Sequence, residues 1–448
     1  ATTRRPPAGH PRTEQPSPLR MSTPDRAAST PVLWLYAVLT GLLAVAVTTG
    51  FRALIAGVEW LSTGHTGSLV EAARLLPPWQ RALIGTVGGV LAGLVLSHGN
   101  RWAARDTEGG RFTDYLAAAR AGAVDLNDRS TWVRSVSALL SVGSGASIGR
   151  EGPMIQLSAW LASRLARAVA LSAEQRKVIL ICGIACGIGS VYHAPVAGLV
   201  FVLELALGFL SAPMVAPVLM AAATAGIVNH TLIDPAPLYA MPAVQLASSN
   251  LGMALIVGLV CGGLGWLMLA WVDGLRAAFK RIDALPLRLG LGGLLAGSLS
   301  AFVPEVWGNG FSTISHLLNG QILWPWVLVI LAAKFAATLF NTGSGAVGGM
   351  FTPTLFVGAT TGFSLAHLAG LWLPADCVGT PLPLAVIGTS ATLSAVTHAP
   401  LMAIVMVLEM TNQFQLTVPV MLACGVAHAI STQFGTQPMY GNPIEARH

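Results

Sequence analysis

Gly143-Ser144-Gly145-Ala146-Ser147-Ile148-Gly149-Arg150-Glu151-Gly152-Pro153 returns 200 residues later as Gly343-Ser344-Gly345-Ala346-Val347-Gly348-Gly349-Met350-Phe351-Thr352-Pro353. Both copies open on Gly-Ser-Gly-Ala, carry a glycine six residues after the first and a proline ten after it, and lie between apolar runs. A second pair follows at an offset of 205: His193-Ala194-Pro195-Val196 leads to Glu204, and His398-Ala399-Pro400-Leu401 leads to Glu409. Two ordered matches at nearly one spacing mark a duplicated unit. Duplicated membrane units usually build a transporter or channel whose site lies where the broken helices of the two halves meet.

That the unit sits in a membrane follows from composition. Of the 448 residues, 54% are hydrophobic and only 10% are charged, whereas soluble domains carry about 25% charged residues. So few charges leave lipid as the solvent. Residues 32–58, 80–98, 249–272 and 323–342 are apolar runs close to or beyond the roughly 20 residues of a perpendicular span. The stretches 132–233 and 352–434 are cut by Gly and Pro. They predict tilted, short or re-entrant helices whose irregular backbone is buried in protein. The fold class expected is therefore an all-α polytopic membrane protein. The net charge of +6 does not point to nucleic acid, because the basic residues lie in the first 31 residues and in loops. Cys182 and Cys186 stand four apart in an apolar helix with no His or acid at ligand spacing, so they read as packing residues. No metal or cofactor is expected.

Residues 1–31 hold seven prolines, five arginines and no apolar run, the composition of a disordered basic tail. The positive-inside rule puts that tail in the cytoplasm, together with the arginine-rich stretch 99–134 and the clusters at 164–177 and 276–288. Seven apolar segments separate the two Gly-Ser-Gly-Ala copies. If each crosses once, the second copy is inverted. The organisation expected is thus a first membrane repeat over 32–235 and a second, inverted one over 249–446. No cytoplasmic regulatory domain is expected, since the chain stops eight residues after Tyr440.

The repeated motif suits anions. Pro153 and Pro353 stand where the first turn of a helix tolerates proline, so helices starting near Glu151 and Phe351 would aim free N–H groups, and about half a positive charge each, at what lies ahead. In inverted halves two such ends converge near the midplane and hold an anion without a full cation. Glu151 departs from the repeat, in which Phe351 is its counterpart. It reads either as a plain helix cap or as a gate, a tethered competitor for the anion that leaves when protonated; an ionisable group among apolar residues favours the second. Arg150 counters Glu151, attracts anions or snorkels. His193 and His398 read as capping or packing residues. Glu204 and Glu409, at equivalent positions, read as sharing a structural role such as bonding backbone groups. Lys334 either adds positive potential near the path or pairs with a helix end. An intramembrane hydrolase using Glu151 with His193 would need a nucleophile or metal-ligand set that the sequence does not offer, and a non-transporting scaffold or sensor would leave the duplicated glycine motif without a purpose. No enzymatic activity is expected.

Gly149-Arg150-Glu151-Gly152-Pro153, the repeated Gly-x-Phe-x-Pro, the two Ala-Pro pairs and the late Pro438-Met439-Tyr440 together resemble the CLC chloride channels and transporters, over about residues 32–443. Thr113–Ala119, the 143–153 stretch and Trp307–Thr313 look closest to one bacterial branch of that family. The resemblance implies a CLC-type fold of two inverted repeats, a homodimer with one pore per subunit, and backbone amides around dehydrated chloride or a similar small anion. It implies a bacterial inner membrane. By position, Glu151 matches the gating glutamate, with Gly149, Arg150 and Gly152 beside it. Gly349, Met350 and Phe351 match the stretch whose amides hold the central anion, and Tyr440 the tyrosine whose hydroxyl touches it. Two departures stand out. Where most members carry Gly-Ser-Gly-Ile-Pro, this chain aligns Gly109-Gly110-Arg111-Phe112-Thr113, so Gly110 takes the place of an anion-binding serine. Where exchangers carry two adjacent acids on the proton path, it has Glu204 and then Leu205. Leu205 cannot take a proton, so the function expected is a passive, voltage- or pH-sensitive chloride channel; the alternative is a chloride/proton antiporter.

Overall fold

The computed structural model describes residues 30–104, 111–169, 171–208, 212–245 and 249–441. The expected basic tail, up to residue 29, and Gly109 and Gly110 lie outside the described residues. Among the described residues every regular element is helical. The first half runs α1 (Thr30–Thr63), α2 (Leu69–Leu75), α3 (Pro78–Ala104), α4 (Tyr115–Arg120), α5 (Asp128–Gly143), α6 (Glu151–Ala168), α7 (Ala173–Tyr192), α8 (Pro195–Phe201) and α9 (Ala212–Val228). The second half runs α10 (Ser249–Phe279), α11 (Leu285–Phe302), α12 (Phe311–Leu318), α13 (Trp326–Gly343), α14 (Phe351–Ala369), α15 (Ala375–Val378), α16 (Pro381–Thr397), α17 (Pro400–Thr411) and α18 (Thr417–Gln433).

Among the described residues eight helices are long and apolar enough to cross a membrane. The four runs predicted as spans lie on α1, α3, α10 and α13. α1 has 34 residues, and at 1.5 Å per residue it is about 50 Å long. That exceeds the ~30 Å hydrocarbon core, so it crosses tilted or projects beyond it.

The segments cut by Gly and Pro become helices that start and stop inside the protein. α7 and α16 each end on a histidine in left-handed conformation, His193 at φ 54° and His398 at φ 56°. An alanine in non-helical conformation follows, and then a proline opens α8 or α17, as the restriction on residues preceding proline requires. Gly145 and Gly345 share φ +89°, a conformation that costs glycine little and other residues more. The change of offset from 200 to 205 also has a cause. α6 and α7 are joined by a short loop, whereas the short α15 intervenes between α14 and α16.

Counterpart helices of the two halves run in opposite directions, although eight helices, not seven apolar segments, separate the two motif copies among the described residues. α3 and α11, counterparts in the repeat, meet along a glycine seam. A Cβ at Gly85 would lie 2.9 Å from the Gly293 carbonyl oxygen, Gly89 abuts Leu289, and Gly93 abuts Pro286. Residue numbers rise along α3 as they fall along α11, so these partners run antiparallel, as inverted repeats require. The glutamates confirm the relation. Glu204, just past α8, accepts the Leu401 and Met402 N–H groups at the start of α17, at 3.2 and 2.7 Å. Glu409, near the end of α17, accepts the Val196 and Ala197 N–H groups at the start of α8, at 3.1 and 2.7 Å. Each half caps the other.

Backbone on both sides of the seam has no flexible atom to yield. Overpacking a tight core costs about 1–3 kcal/mol, so Gly85→Val is expected to lower the unfolding midpoint of the detergent-purified protein by several degrees. An unchanged midpoint would mean that the seam has slack.

Candidate functional site

Both copies of the opening motif serve as joints: each ends a helix (α5 or α13) and starts another (α6 or α14) within a few residues. The joints touch. Gly149 N–H donates to the Gly349 carbonyl at 2.7 Å, and Gly349 N–H donates to the Gly149 carbonyl at 3.0 Å. This isolated antiparallel bridge places the starts of α6 and α14 side by side. It also corrects the roles expected for the two glycines. Their amides are spent on each other, so what they supply is room: a methyl group at either one would overlap the Glu151 carboxylate.

Glu151, 1% exposed, opens α6 and turns its carboxylate to the start of α14. Oε1 accepts the Phe351 N–H at 3.1 Å, and Oε2 accepts the Thr352 hydroxyl at 3.4 Å. The carboxylate stands where an anion would be held by the first turn of a 19-residue helix. Behind it, Tyr192 stacks obliquely on Phe351 with ring centres 4.7 Å apart, and its hydroxyl pairs with Thr352 Oγ1 at 3.3 Å. Thr352 and Tyr192 were not singled out from the sequence, although Thr352 is the repeat counterpart of Gly152 and that difference was visible.

The two sequence neighbours of Glu151 line two different cavities. The larger, about 480 Å³, is lined by Asp114, Arg120, Arg134, Arg276, Met350 and Tyr440 among others, and Gly152 borders it. The smaller, about 220 Å³, is lined by Glu59, Ser68, Arg150 and Trp307 among others. The two are related by the repeat, with Thr342 and Met350 in one where Val142 and Arg150 stand in the other. Arg150 and Gly152, the neighbours of Glu151 in sequence, therefore open to opposite cavities.

Tyr440 is anchored. Arg120 donates to its carbonyl at 2.7 Å and to the Gly441 carbonyl at 3.1 Å, and its ring meets Phe201 edge-on at 5.5 Å. It stands within electrostatic reach of Glu151, Tyr115 and Asp114. Leu205, 9% exposed, gives its carbonyl to the same Arg120. Glu204 has both oxygens on the start of α17, the structural role that its pairing with Glu409 suggested. Lys334 is fully buried, donating to the Val306 carbonyl at 3.0 Å and to Gly308; it holds the turn before α12. Gly110 lies outside the described residues. Among the described residues no group of His, Cys, Asp and Glu is arranged to hold a metal.

Asp114 is the residue that sequence reasoning passed over. It caps α4, accepting the Leu116 and Ala117 N–H groups at 2.9 and 3.0 Å. An Asp just ahead of Tyr115-Leu116-Ala117-Ala118-Ala119 is an ordinary helix-start signal. Its consequence lies in its place: a carboxylate lines the larger cavity and occupies amides that would otherwise face it.

Comparison with known proteins bears on this geometry. The family model described as voltage gated chloride channel matches residues 88–432. A Ralstonia nicotianae protein, "Putative chloride channel protein ClcB-like", is 42% identical over 413 residues, covering 91% of this chain and 95% of its own. A "Voltage-gated ClC-type chloride channel ClcB" from Escherichia coli O81 is 36% identical, covering 91% and 97%. ClcB is the branch that the sequence resembled. Among solved structures, a slow cyanobacterial Cl−/H+ antiporter superposes with a TM-score of 0.79 at 22% identity, over 91% of this chain and 96% of that one. A CLC-type fluoride/proton antiporter superposes at 0.72 with 23% identity, over 90% and 96%. At such identities the likeness is one of fold.

Serine caps a helix about as well as aspartate, so Asp114→Ser keeps α4 and removes only the charge. Chloride binding to the purified protein, followed by calorimetry, is expected to tighten roughly threefold or more, since a fixed negative charge no longer faces the cavity. Unchanged affinity would show that the charge is screened from the site.

Proposed function

The chain belongs to the voltage-gated chloride channel family, whose members move anions across membranes, and on that premise we propose that it conducts chloride along a path closed by Glu151. The observation that carries this reading is the carboxylate of Glu151 on the amide of Phe351, between two cavities. A buried carboxylate held by a helix start is exchangeable with any small anion of like charge. While ionised, Glu151 wins because it is tethered. Protonation removes the charge that the amide and hydroxyl attract, the side chain leaves, and chloride takes the place. Conduction therefore rises as pH falls. The arginines of the larger cavity make it the cytoplasmic mouth, in line with the basic loops 99–134 and 164–177 and a cytoplasmic N-terminus. The membrane is the bacterial inner membrane, and the working unit is a pair of chains with a path in each. Val196 and Leu401, at equivalent places on α8 and α17, are 52% and 62% exposed and suit such a pairing.

Passive conduction is the reading that the residues past the gate favour. Leu205 is apolar and Glu204 is committed to α17, so neither offers a free acceptor for a proton leaving Glu151. A bare charge in hydrocarbon costs about 2.5–3.5 kcal/mol or more. One observation favours the second reading, proton-coupled exchange: Asp114 puts a titratable carboxylate in the cavity that also holds Tyr440.

Glu151→Gln mimics the protonated side chain. In liposomes it is expected to pass chloride at neutral pH at a rate that wild type reaches only in acid, and with little response to pH. If both respond to pH alike, the gate is elsewhere. In the same liposomes, a chloride gradient imposed at equal pH distinguishes the two readings. The passive reading expects no sustained uphill proton movement; such movement in wild type, lost in Glu151→Gln, would establish exchange.

A further inference from the structure

The smaller cavity has a feature that gating by Glu151 does not use. Three residues that line it each carry a buried polar atom with no hydrogen-bond partner among the described residues: Glu59 Oε1, Ser68 Oγ and Trp307 Nε1. Unpartnered buried polar atoms are costly and uncommon, and here three belong to residues that line one cavity. Glu59 is 5% exposed, and Arg150 lines the same cavity. The two form no direct ion pair among the described contacts, but the charge of Arg150 acts on Glu59 across the cavity they both line.

The repeat sharpens the point. A Cβ at Gly143 would meet Val58, and one at Gly343 would meet Leu275. Val58 and Leu275 are thus counterparts, and so are the next residues, Glu59 and Arg276. Arg276 lines the larger cavity. Inversion has put a cation at one mouth and a carboxylate at the equivalent place of the other.

We propose that Glu59 sets the charge of the smaller cavity and with it the entry of anions from that side. This rests on the anion path proposed above, in which this is the external mouth. Ionised Glu59 offsets Arg150, so an anion gains little by entering. When Glu59 takes a proton from external water, Arg150 loses one of the two carboxylates that act on it, the other being Glu151 of the gate. The indole N–H of Trp307 and the hydroxyl of Ser68 then complete a set of donors for a small anion. Other charged groups on the surrounding elements are engaged or set back. Arg52, about two turns earlier on α1, donates to the Ser190 and Val191 carbonyls. Lys334, behind the wall, donates to Val306 and Gly308, Glu305 in that turn pairs with Arg74 of α2, and Glu71 stands beyond Gly67. With Glu151 replaced by Gln, Glu59 and Arg150 are the charged residues that line this cavity.

The test separates this group from the gate by working in Glu151→Gln protein. Right-side-out vesicles from expressing cells orient every copy alike; uptake of radiolabelled chloride is measured against external chloride, with internal pH fixed and external pH neutral or acid. The half-saturating external chloride is expected to fall roughly threefold to tenfold on acidification. Adding Glu59→Gln should make it low at both values, and adding Glu59→Asp instead should restore the response. A half-saturation in Glu151→Gln that ignores external pH overturns the inference, as does one that still responds after Glu59→Gln is added. Absence of chloride uptake at any pH would defeat the anion path itself.

Discussion

The starts of α6 and α14 point free N–H groups at one place inside the protein, and that place must hold negative charge. Each helix end carries about half a positive charge, in surroundings where water does not screen it. The chain meets the demand with its own Glu151, whose carboxylate rests on the Phe351 amide and the Thr352 hydroxyl. Hydrogen bonds to an ionised group are worth about 1.5–3 kcal/mol each, the same order as the several kcal/mol that burying the charge costs. Neither side dominates, so a small change such as protonation or a competing anion tips the balance. A stronger site, built with a full cation, would hold its ion too long to conduct.

Everything that brings the two ends together comes from inversion. The Gly149–Gly349 bond pair, the antiparallel seam of α3 and α11, and the crossed caps made by Glu204 and Glu409 are each one interaction made twice with the halves exchanged. The mouths share that origin but have diverged: arginines line the larger, while Arg150 and Glu59 share the smaller. The symmetry builds the scaffold, and departures from it make the two cavities differ in charge.

Much of this was legible in the sequence because repetition is a local signal. The offset of 200 between the glycine motifs announced two halves, and the Gly and Pro residues that cut 132–233 and 352–434 announced short helices inside the protein. Glu151 stood out as a charge that the repeat lacks. What escaped depends on contacts between distant segments. That Gly149 and Gly349 bond each other rather than an ion cannot be read from either copy alone. Glu204 was left between two roles until its oxygens were seen on α17. Asp114 looked like any helix cap, since only the fold shows that α4 begins beside Tyr440. Tyr440 itself came from resemblance, because a lone tyrosine near a chain end carries no pattern.

The central claim is that the Glu151 carboxylate and a permeant anion occupy one and the same place. Anomalous scattering from crystals of Glu151→Gln grown in bromide tests it directly. A bromide peak within hydrogen-bond distance of the Phe351 amide, absent from wild-type crystals in which the carboxylate fills that spot, is the expected result. An empty amide in the variant, with bromide bound elsewhere, would contradict it.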